Sequence, residues 1–175
     1  MNRSIPTWQI AGFIFTSVLG TLLHFLFDFT GGSIFAALIS AVNESIWEHM
    51  KLIYVPMVIF ALIEFKAWGK AAPSFWCIKL LGLLIALLLI PVIYYTYTGM
   101  GGINVDWFNI TIFFLAAGTA FYSETRLFQS AWECKLPSML SLALIFLIGG
   151  LFLYCTFQPP HIPFFQDPIT KGFGF

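Results

Sequence analysis

Charged residues are scarce in this sequence, and their scarcity excludes most classes of soluble protein. Only 9% of the 175 residues are Asp, Glu, Lys or Arg, whereas a soluble domain carries roughly 25%. The formal net charge is +0, so no overall positive field is available for binding nucleic acid. Hydrophobic residues make up 59% of the chain, and its mean hydropathy is +0.90. This composition predicts an all-α integral membrane protein.

Cysteines are also few, and motifs that mark familiar metal or nucleophile sites are missing. Cys77, Cys134 and Cys155 are odd in number, lie far apart and form no C-x-x-C pair. This pattern argues against a disulfide framework and a zinc knuckle, so we expect three small hydrophobic residues in or near the membrane. No H-E-x-x-H and no G-x-S-x-G occurs either.

Long apolar stretches predict a single transmembrane domain over residues 1–175 with five crossings. A spanning helix needs about 20 apolar residues. The stretch between residues 31 and 66 is too long for one straight crossing. We therefore expect a re-entrant or interfacial segment over residues 33–42 before the second span, and an extracytoplasmic tail over residues 159–175. The predicted spans cover residues 8–28, 45–66, 75–97, 106–126 and 138–158.

The distribution of Lys and Arg predicts an orientation in the cytoplasmic (plasma) membrane. Basic residues favour cytoplasmic segments. Six of the eight fall on one side of the predicted bundle, and Lys51 and Lys171 fall on the other. The N-terminus is then cytoplasmic and the C-terminus outside. The six are Arg3, Lys66, Lys70, Lys79, Arg126 and Lys135.

Ionisable residues gather at the predicted outer side. Charged groups at membrane depth are costly, so they are candidate functional residues. His24 and Asp28 are spaced i, i+4 at the end of the first span, and Glu48 and His49 open the second. These four are our candidates for acid–base catalysis and for binding a metal. The candidates for ligand binding are Asn43, Glu44, Trp47, Lys51, His161 and Asp167.

Each candidate also has a structural interpretation. His24 and Asp28 could form a hydrogen-bonded pair that joins helices, and Glu48 could pair with Lys51 at i, i+3. Asn43 or Ser45 could cap the second span, with Glu44 beside it, and Trp47 could belong to an interfacial aromatic belt. Glu64, Glu124 and Glu133 are interpreted as interfacial charges at the cytoplasmic side.

Three functions remain open from these residues. The first is an outward-facing His/carboxylate pocket that binds, and could act on, a small or lipid-like ligand among the membrane lipids. Two histidines with carboxylates supply ligands for a divalent transition metal, although no cofactor or protein partner is identified. The second is a proton-coupled transporter or channel component, in which a polar path continues to Thr119, Ser123 and Glu124. The third is a membrane scaffold without catalytic activity.

Three sequence segments resemble an uncharacterised family of small prokaryotic membrane proteins. They are Asn43-Glu44-Ser45-Ile46-Trp47-Glu48-His49-Met50-Lys51, His24-Phe25-Leu26-Phe27-Asp28 and Pro159-Pro160-His161-Ile162-Pro163-Phe164-Phe165-Gln166-Asp167-Pro168. The resemblance covers nearly the whole chain. It implies a prokaryotic cytoplasmic membrane and the same number of helices, and it implies no activity.

Overall fold

The computed structural model describes residues 4–130 and 132–175. Arg3, one of the six residues used above to assign the orientation, lies outside the described residues. Within the described residues the chain is helical, apart from one isolated antiparallel bridge between Gln166 and Phe173. The helices are α1 (Ile5–Phe29), α2 (Ile34–Ala37), α3 (Ile46–Ala67), α4 (Phe75–Gly101), α5 (Asp106–Gln129) and α6 (Ser138–Phe157), with a short 3-10 turn over Gly69–Ala71.

The break between α1 and α3 has local causes that the sequence signals. Gly31 and Gly32 both have positive φ, which ends α1 and turns the chain. Ser45 is the N-cap of α3, and its hydroxyl accepts a hydrogen bond from the Glu48 N–H. The side-chain oxygen of Asn43 accepts the Ser45 N–H at 2.9 Å. The predicted cap is confirmed, and the predicted segment over 33–42 contains a single helical turn, α2, that packs on α1.

Helix α3 lies at the centre of the bundle. It packs against α1, α4 and α6, and α5 contacts α1 and α4. Small residues on α1 allow the helices to approach closely. A Cβ at Gly12 would overlap the ring of Phe60 on α3, and one at Gly20 would overlap the carbonyl oxygen of Leu52. Thr16, between them, is fully buried.

Long helices occupy all five ranges in which the sequence predicts spans. Three of them, α1, α4 and α6, are long and apolar enough to cross a membrane by length and composition. Their outer surfaces are apolar: on α1, Ile10, Ile14, Val18 and Leu22 are each more than half exposed. Helices α3 and α5 fall outside this group, and both carry ionisable residues that the fold buries, such as Glu64 and Glu124.

The cysteines correct one prediction. Cys77, at the start of α4, and Cys134, in the segment before α6, form a disulfide with a Cα–Cα distance of 6.3 Å. Only Cys155 is free, and it is buried as expected. Spacing along the sequence did not reveal the bridge, because 57 residues separate the two cysteines and the folding of α4 and α5 brings them together. We call this side of the bundle the disulfide end.

The opposite side, where α1 and α6 end and α3 begins, is covered by the C-terminal residues and is called the tail end. The tail returns along the break before α3. Trp47 N–H donates to the Phe164 carbonyl at 3.3 Å, and the Asn43 amide donates to the Gly174 carbonyl at 3.1 Å. The Phe175 N–H donates to the Thr156 carbonyl at the end of α6. These contacts hold the tail against the segment that carries most of the candidate residues.

Candidate metal centre

The segment before α3 is fixed to the end of α1 by Ser40. Its buried hydroxyl donates to the Leu23 carbonyl at 2.8 Å and accepts the Phe27 N–H at 3.2 Å. Leu23 and Phe27 lie on either side of His24 in the sequence. The two hydrogen bonds of Ser40 therefore fix the position of His24 relative to the segment that leads into α3. The result is that residues from two helices and the connecting segment meet at the tail end.

His24, Glu44 and His49 form a group of potential metal ligands. One ligand atom from each of them lies within 4.8 Å of the others. The rings of His24 and His49 have centroids 5.2 Å apart, and His49 Nε2 lies 3.4 Å from Glu44 Oε2. Two ligand atoms of a tetrahedral zinc ion are separated by roughly 3.3 Å, because each lies about 2.0–2.1 Å from the metal. The His49–Glu44 spacing matches that value.

A hydrogen bond to the backbone shows which ring nitrogen of His49 carries the hydrogen and which has a free lone pair. Its Nδ1 lies 3.0 Å from the Ser45 carbonyl oxygen, and a carbonyl can only accept, so Nδ1 carries the hydrogen. In the neutral ring Nε2 is then an acceptor and faces Glu44. A backbone carbonyl on the remote nitrogen is also the common way to orient a metal-binding histidine. His24 Nδ1 is buried and has no hydrogen-bond partner among the described residues.

Two of the four predicted metal and catalytic residues lie outside this group. Asp28 is exposed at the end of α1 and does not belong to the set of close ligand atoms. Glu48 is buried, and both of its carboxylate oxygens are occupied. Oε1 accepts from the Thr156 hydroxyl at 2.8 Å, and Oε2 accepts from the Val42 N–H and lies 2.6 Å from Lys51 Nζ. Glu44, which was predicted to bind a ligand, takes the third position instead.

The ion pair of Glu48 and Lys51 is present as the i, i+3 spacing predicts. Both side chains are almost fully buried, with 2% and 1% exposed. Lys51 Nζ also donates to the Ala37 carbonyl at 2.9 Å and to the Thr156 hydroxyl at 2.8 Å. The Lys51 ammonium therefore has three hydrogen-bonding or ionic partners, and the Glu48 carboxylate also has three. We call Glu48, Lys51 and Thr156 the paired cluster; its saturation indicates a structural role.

The remaining ligand-binding candidates make contacts within the protein. Trp47 packs between rings of α6 and the tail, with centroid distances of 4.6 Å to Phe152 and 4.9 Å to Phe165. His161 is exposed and stacks on Phe173 at 4.7 Å. Neither ring nitrogen of His161 belongs to the group of close ligand atoms.

Asp167 is buried, and it stabilises the tail. Its carboxylate accepts the Ile169 N–H at 2.7 Å and the Thr170 hydroxyl at 2.8 Å. Burial disfavours the charged form, but hydrogen bonds from Ile169, Thr170 and the backbone of Glu44 outweigh it, so the pKa of Asp167 lies below its ordinary value. The bond to Glu44 links the tail directly to one of the three clustered residues.

The structure does not support the predicted ligand pocket. Two cavities formed by the described residues lie away from His24, Glu44 and His49. One is lined by Leu83, Glu124, Ile145 and neighbouring side chains between α3, α4, α5 and α6, and the other is an open groove on α4 lined by Pro91, Val92, Tyr95 and Thr96. The group of potential ligands is a partly exposed surface site, with 34% of the His49 side chain and 44% of the Glu44 side chain accessible.

A second buried ionic cluster, at the disulfide end, was not predicted. Lys79 Nζ contacts Glu64 of α3 and Glu124 of α5, and Gln9 of α1 donates to Glu64 at 2.8 Å. Glu64 and Glu124, interpreted from the sequence as interfacial charges, are fully buried inside the bundle, and Lys79 is only 4% exposed. We call these four residues the shared-lysine cluster. Lys79 interrupts an otherwise apolar stretch, and that signal could have revealed it.

The two clusters are separated by apolar packing. On α3, the residues from Leu52 to Ile63 are apolar except for Tyr54, whose hydroxyl donates to the Ile145 carbonyl at 2.8 Å. Thr119, on the polar path expected for a transporter, is exposed on α5. The described residues therefore do not favour the predicted continuous path between the two ends.

One protein family matches the chain over its whole length. The model of a family of unknown function, DUF6512, matches residues 1–175. The chain belongs to this family. No curated protein and no solved structure matches it significantly. Membership in DUF6512 agrees with the resemblance to an uncharacterised family, and it carries no activity to the residues at the tail end.

Proposed function

We propose that this DUF6512 protein binds a divalent transition metal ion through His24, Glu44 and His49 at the tail end of a membrane-spanning bundle. The observation that carries the proposal is the approach of one ligand atom from each residue to within 4.8 Å. Two imidazole nitrogens and one carboxylate are a ligand set that zinc accepts, and it also suits other first-row metals.

The site would hold the ion with three protein ligands. In zinc proteins such sites leave a further position for water or substrate, whereas structural sites are closed by four protein ligands. A metal there would polarise a phosphoryl or carbonyl oxygen and lower the pKa of bound water. We propose a small or lipid-like ligand with such an oxygen, because the site is partly exposed and lies beside exposed apolar residues of α1 such as Phe25 and Phe29.

We further propose that all five long helices cross the membrane. Four charged residues of α3 and α5, namely Glu48, Lys51, Glu64 and Glu124, are buried in ion pairs inside the bundle. Pairing with other protein groups is the way that ionisable residues are accommodated at membrane depth. Exposed apolar residues on both helices, including Ile59 on α3 and Leu115 on α5, would face lipid.

For the orientation we propose that the disulfide end is cytoplasmic. Lys66, Lys70, Arg126 and Lys135 are at that end, whereas Lys171 is in the tail. The bridge itself argues for the opposite side, since disulfides persist mainly in oxidising compartments. Labelling intact cells with an impermeant maleimide decides between them. Lys171→Cys should react and Lys70→Cys should not; the reverse pattern would place the disulfide end outside.

Elemental analysis and Co²⁺ titration of the protein in detergent test the metal site. The wild-type protein should bind one equivalent of Zn²⁺, and Co²⁺ should give the visible absorption of a site with nitrogen and oxygen ligands. His49→Ala and His24→Ala each remove a direct ligand, so their affinity should fall by more than about 100-fold, beyond the effect of losing an outer-shell partner. Glu44→Gln should also weaken binding.

The matched control is His161→Ala, which removes the third histidine of the chain at the same end of the bundle. It should bind the metal with wild-type affinity. A wild-type protein that binds no metal, or a His161→Ala variant as impaired as His49→Ala, would contradict the proposal. Asp28→Asn should leave the affinity within a few-fold, because the carboxylate lies outside the group.

A further inference from the structure

The shared-lysine cluster lies where four helices meet, away from the proposed metal site. Lys79 of α4 contacts Gln9 of α1, Glu64 of α3 and Glu124 of α5, and Gln9 also bonds to Glu64; none of the four is more than 4% exposed. Lys79 Nζ is also surrounded by aromatic rings, with centroids at 5.6 Å for Phe121 and 5.7 Å for Phe75 and Phe128. The surroundings of the charges are therefore apolar.

The cluster contains one cation and two carboxyl groups. Among the described residues no other charged side chain contacts it: α1 contributes Gln9, which does not titrate, and α6 contributes apolar side chains such as Leu142 and Ile145. If both carboxyls were ionised, the cluster would carry one uncompensated negative charge. Burying an uncompensated charge is strongly unfavourable, whereas one added proton makes the cluster neutral.

Hydrogen bonding indicates which carboxyl carries that proton. For Glu64, Oε1 accepts from Gln9 at 2.8 Å, and Oε2 contacts the Lys79 ammonium but makes no hydrogen bond within the described residues. For Glu124, Oε2 accepts from Lys79 at 2.5 Å, but Oε1 is fully buried and has no partner in the described part of the chain. Each oxygen of Glu64 thus has an amide or ammonium neighbour, whereas Oε1 of Glu124 has neither among the described residues and is free to carry hydrogen.

We propose that the shared-lysine cluster is a binding site for a single proton, held on Glu124 at neutral pH. The carboxyl also borders open space inside the bundle. It lines the cavity between α3, α4, α5 and α6, whose other walls include Leu62 and Phe146. These two side chains are 40% and 55% exposed, so the cavity lies close to the surface of the bundle.

The site couples proton binding to helix packing. The Glu124 side chain packs against Gly82 of α4. A Cβ at position 82 would overlap the Glu124 carboxyl group. The close contact of α4 and α5 at this point is therefore filled by Glu124 itself. Loss of the proton leaves a negative charge in that contact, and the helices that share Lys79 become less tightly associated.

Infrared spectroscopy of the protein in detergent tests the assignment. A protonated carboxyl absorbs in a carbonyl region distinct from carboxylates and amides. At neutral pH the wild-type protein should show one such group, and Glu124→Gln should remove it. Glu64→Gln should remove it as well, because the remaining Glu124 and Lys79 already balance. Glu133→Gln, which changes an exposed glutamate, should leave the band unchanged.

Thermal unfolding in the same detergent gives a second readout. Glutamine resembles a protonated carboxyl in shape and charge. The Glu124→Gln variant should therefore fold and should unfold close to the wild-type temperature. Glu64→Gln should unfold at a lower temperature, because an amide NH₂ would face the donors of Gln9 or Lys79. The proposal is overturned if the wild-type protein lacks the band, if the band persists in Glu124→Gln or Glu64→Gln, or if Glu124→Gln is the less stable variant.

Discussion

The paired cluster and the shared-lysine cluster solve the same problem in different ways. Both bury a lysine beside a glutamate in an apolar bundle. In the paired cluster Glu48 and Lys51 lie one turn apart on α3, and Thr156 of α6 bonds to both. In the shared-lysine cluster the charges come from three helices and the carboxyls outnumber the lysine. The first is local and balanced, and the second is distributed and unbalanced.

This difference separates two consequences of burying charge. In the paired cluster, the ion pair and its hydrogen bonds offset the cost of removing both charges from water. No donor or acceptor of the pair is then left over to bind a proton or another ligand. A distributed cluster makes the relative positions of α3, α4 and α5 depend on one ammonium group, and its imbalance leaves a place for a proton. We therefore expect the shared-lysine cluster to be the more sensitive of the two to substitution and to pH.

The largest effect is expected for Lys79→Met. It leaves two buried carboxyl groups without a cation, and removing one partner from a buried ion pair costs about 3–5 kcal/mol. Thermal unfolding in detergent should show this loss, and mildly acidic pH should reduce it by protonating the carboxyls. Lys66→Met, which removes an exposed lysine near the same end of α3, is the control. Equal stability of the two variants would contradict the central role of Lys79.

A smaller loss, about 3 kcal/mol, is expected for Lys51→Met, which strands one carboxylate where Lys79→Met strands two carboxyl groups. The double variant Glu48→Gln/Lys51→Met removes both charges and should recover most of the stability. Unfolding temperatures of the single and double variants measure this recovery. A double variant that is less stable than Lys51→Met would mean that Glu48 contributes mainly through Thr156 and Val42 rather than through the ion pair.

The smallest effect is expected at Asp167, a buried carboxylate without a lysine partner. Its folded-state pKa is lowered, so its contribution to stability is complete above about pH 4, the ordinary value for Asp, and is lost as the pH falls through the lower folded value. Asp167→Asn should destabilise by about 1–2 kcal/mol at neutral pH and converge with the wild-type protein in acid. The rate at which a protease cleaves the tail, compared between the two proteins across this pH range, measures the difference.

Asp106→Asn, at an exposed position at the start of α5, is the matched control and should show no such convergence. If Asp167→Asn leaves the tail as resistant to protease as the wild-type protein at neutral pH, the carboxylate does not hold the tail. The turn over Ile169 and Thr170 would then depend on backbone bonds alone, such as Asp167 N–H to the Gly172 carbonyl.

What the sequence predicts well is local. Apolar stretches predicted all five long helices, the i, i+3 spacing predicted the pairing of Glu48 with Lys51, and Ser45 was one of the two residues predicted as the cap. Each of these depends on residues within one or two turns of a helix. Patterns along the chain carry this information because helix geometry alone determines which side chains meet.

The rest depends on contacts between distant segments. The bridge from Cys77 to Cys134, the meeting of Glu64 with Lys79 and Glu124, and the hydroxyl of Thr156 between two charges all require the helices to be placed. His24 and His49 also lie on different helices. Their presence on neighbouring helices was a reasonable hypothesis, but the replacement of Glu48 by Glu44 in the group followed from hydrogen bonds that spacing does not reveal.

The distributed character of the shared-lysine cluster has a consequence for biosynthesis. Synthesis proceeds from the N-terminus, so Glu64 leaves the ribosome before Lys79, and Glu124 follows only with α5. Glu48 and Lys51 emerge almost together and can neutralise each other at once. If α3 crosses the membrane as proposed, it enters the bilayer with one acid still lacking its counterion, and it must take up a proton or wait beside the insertion machinery until α4 arrives.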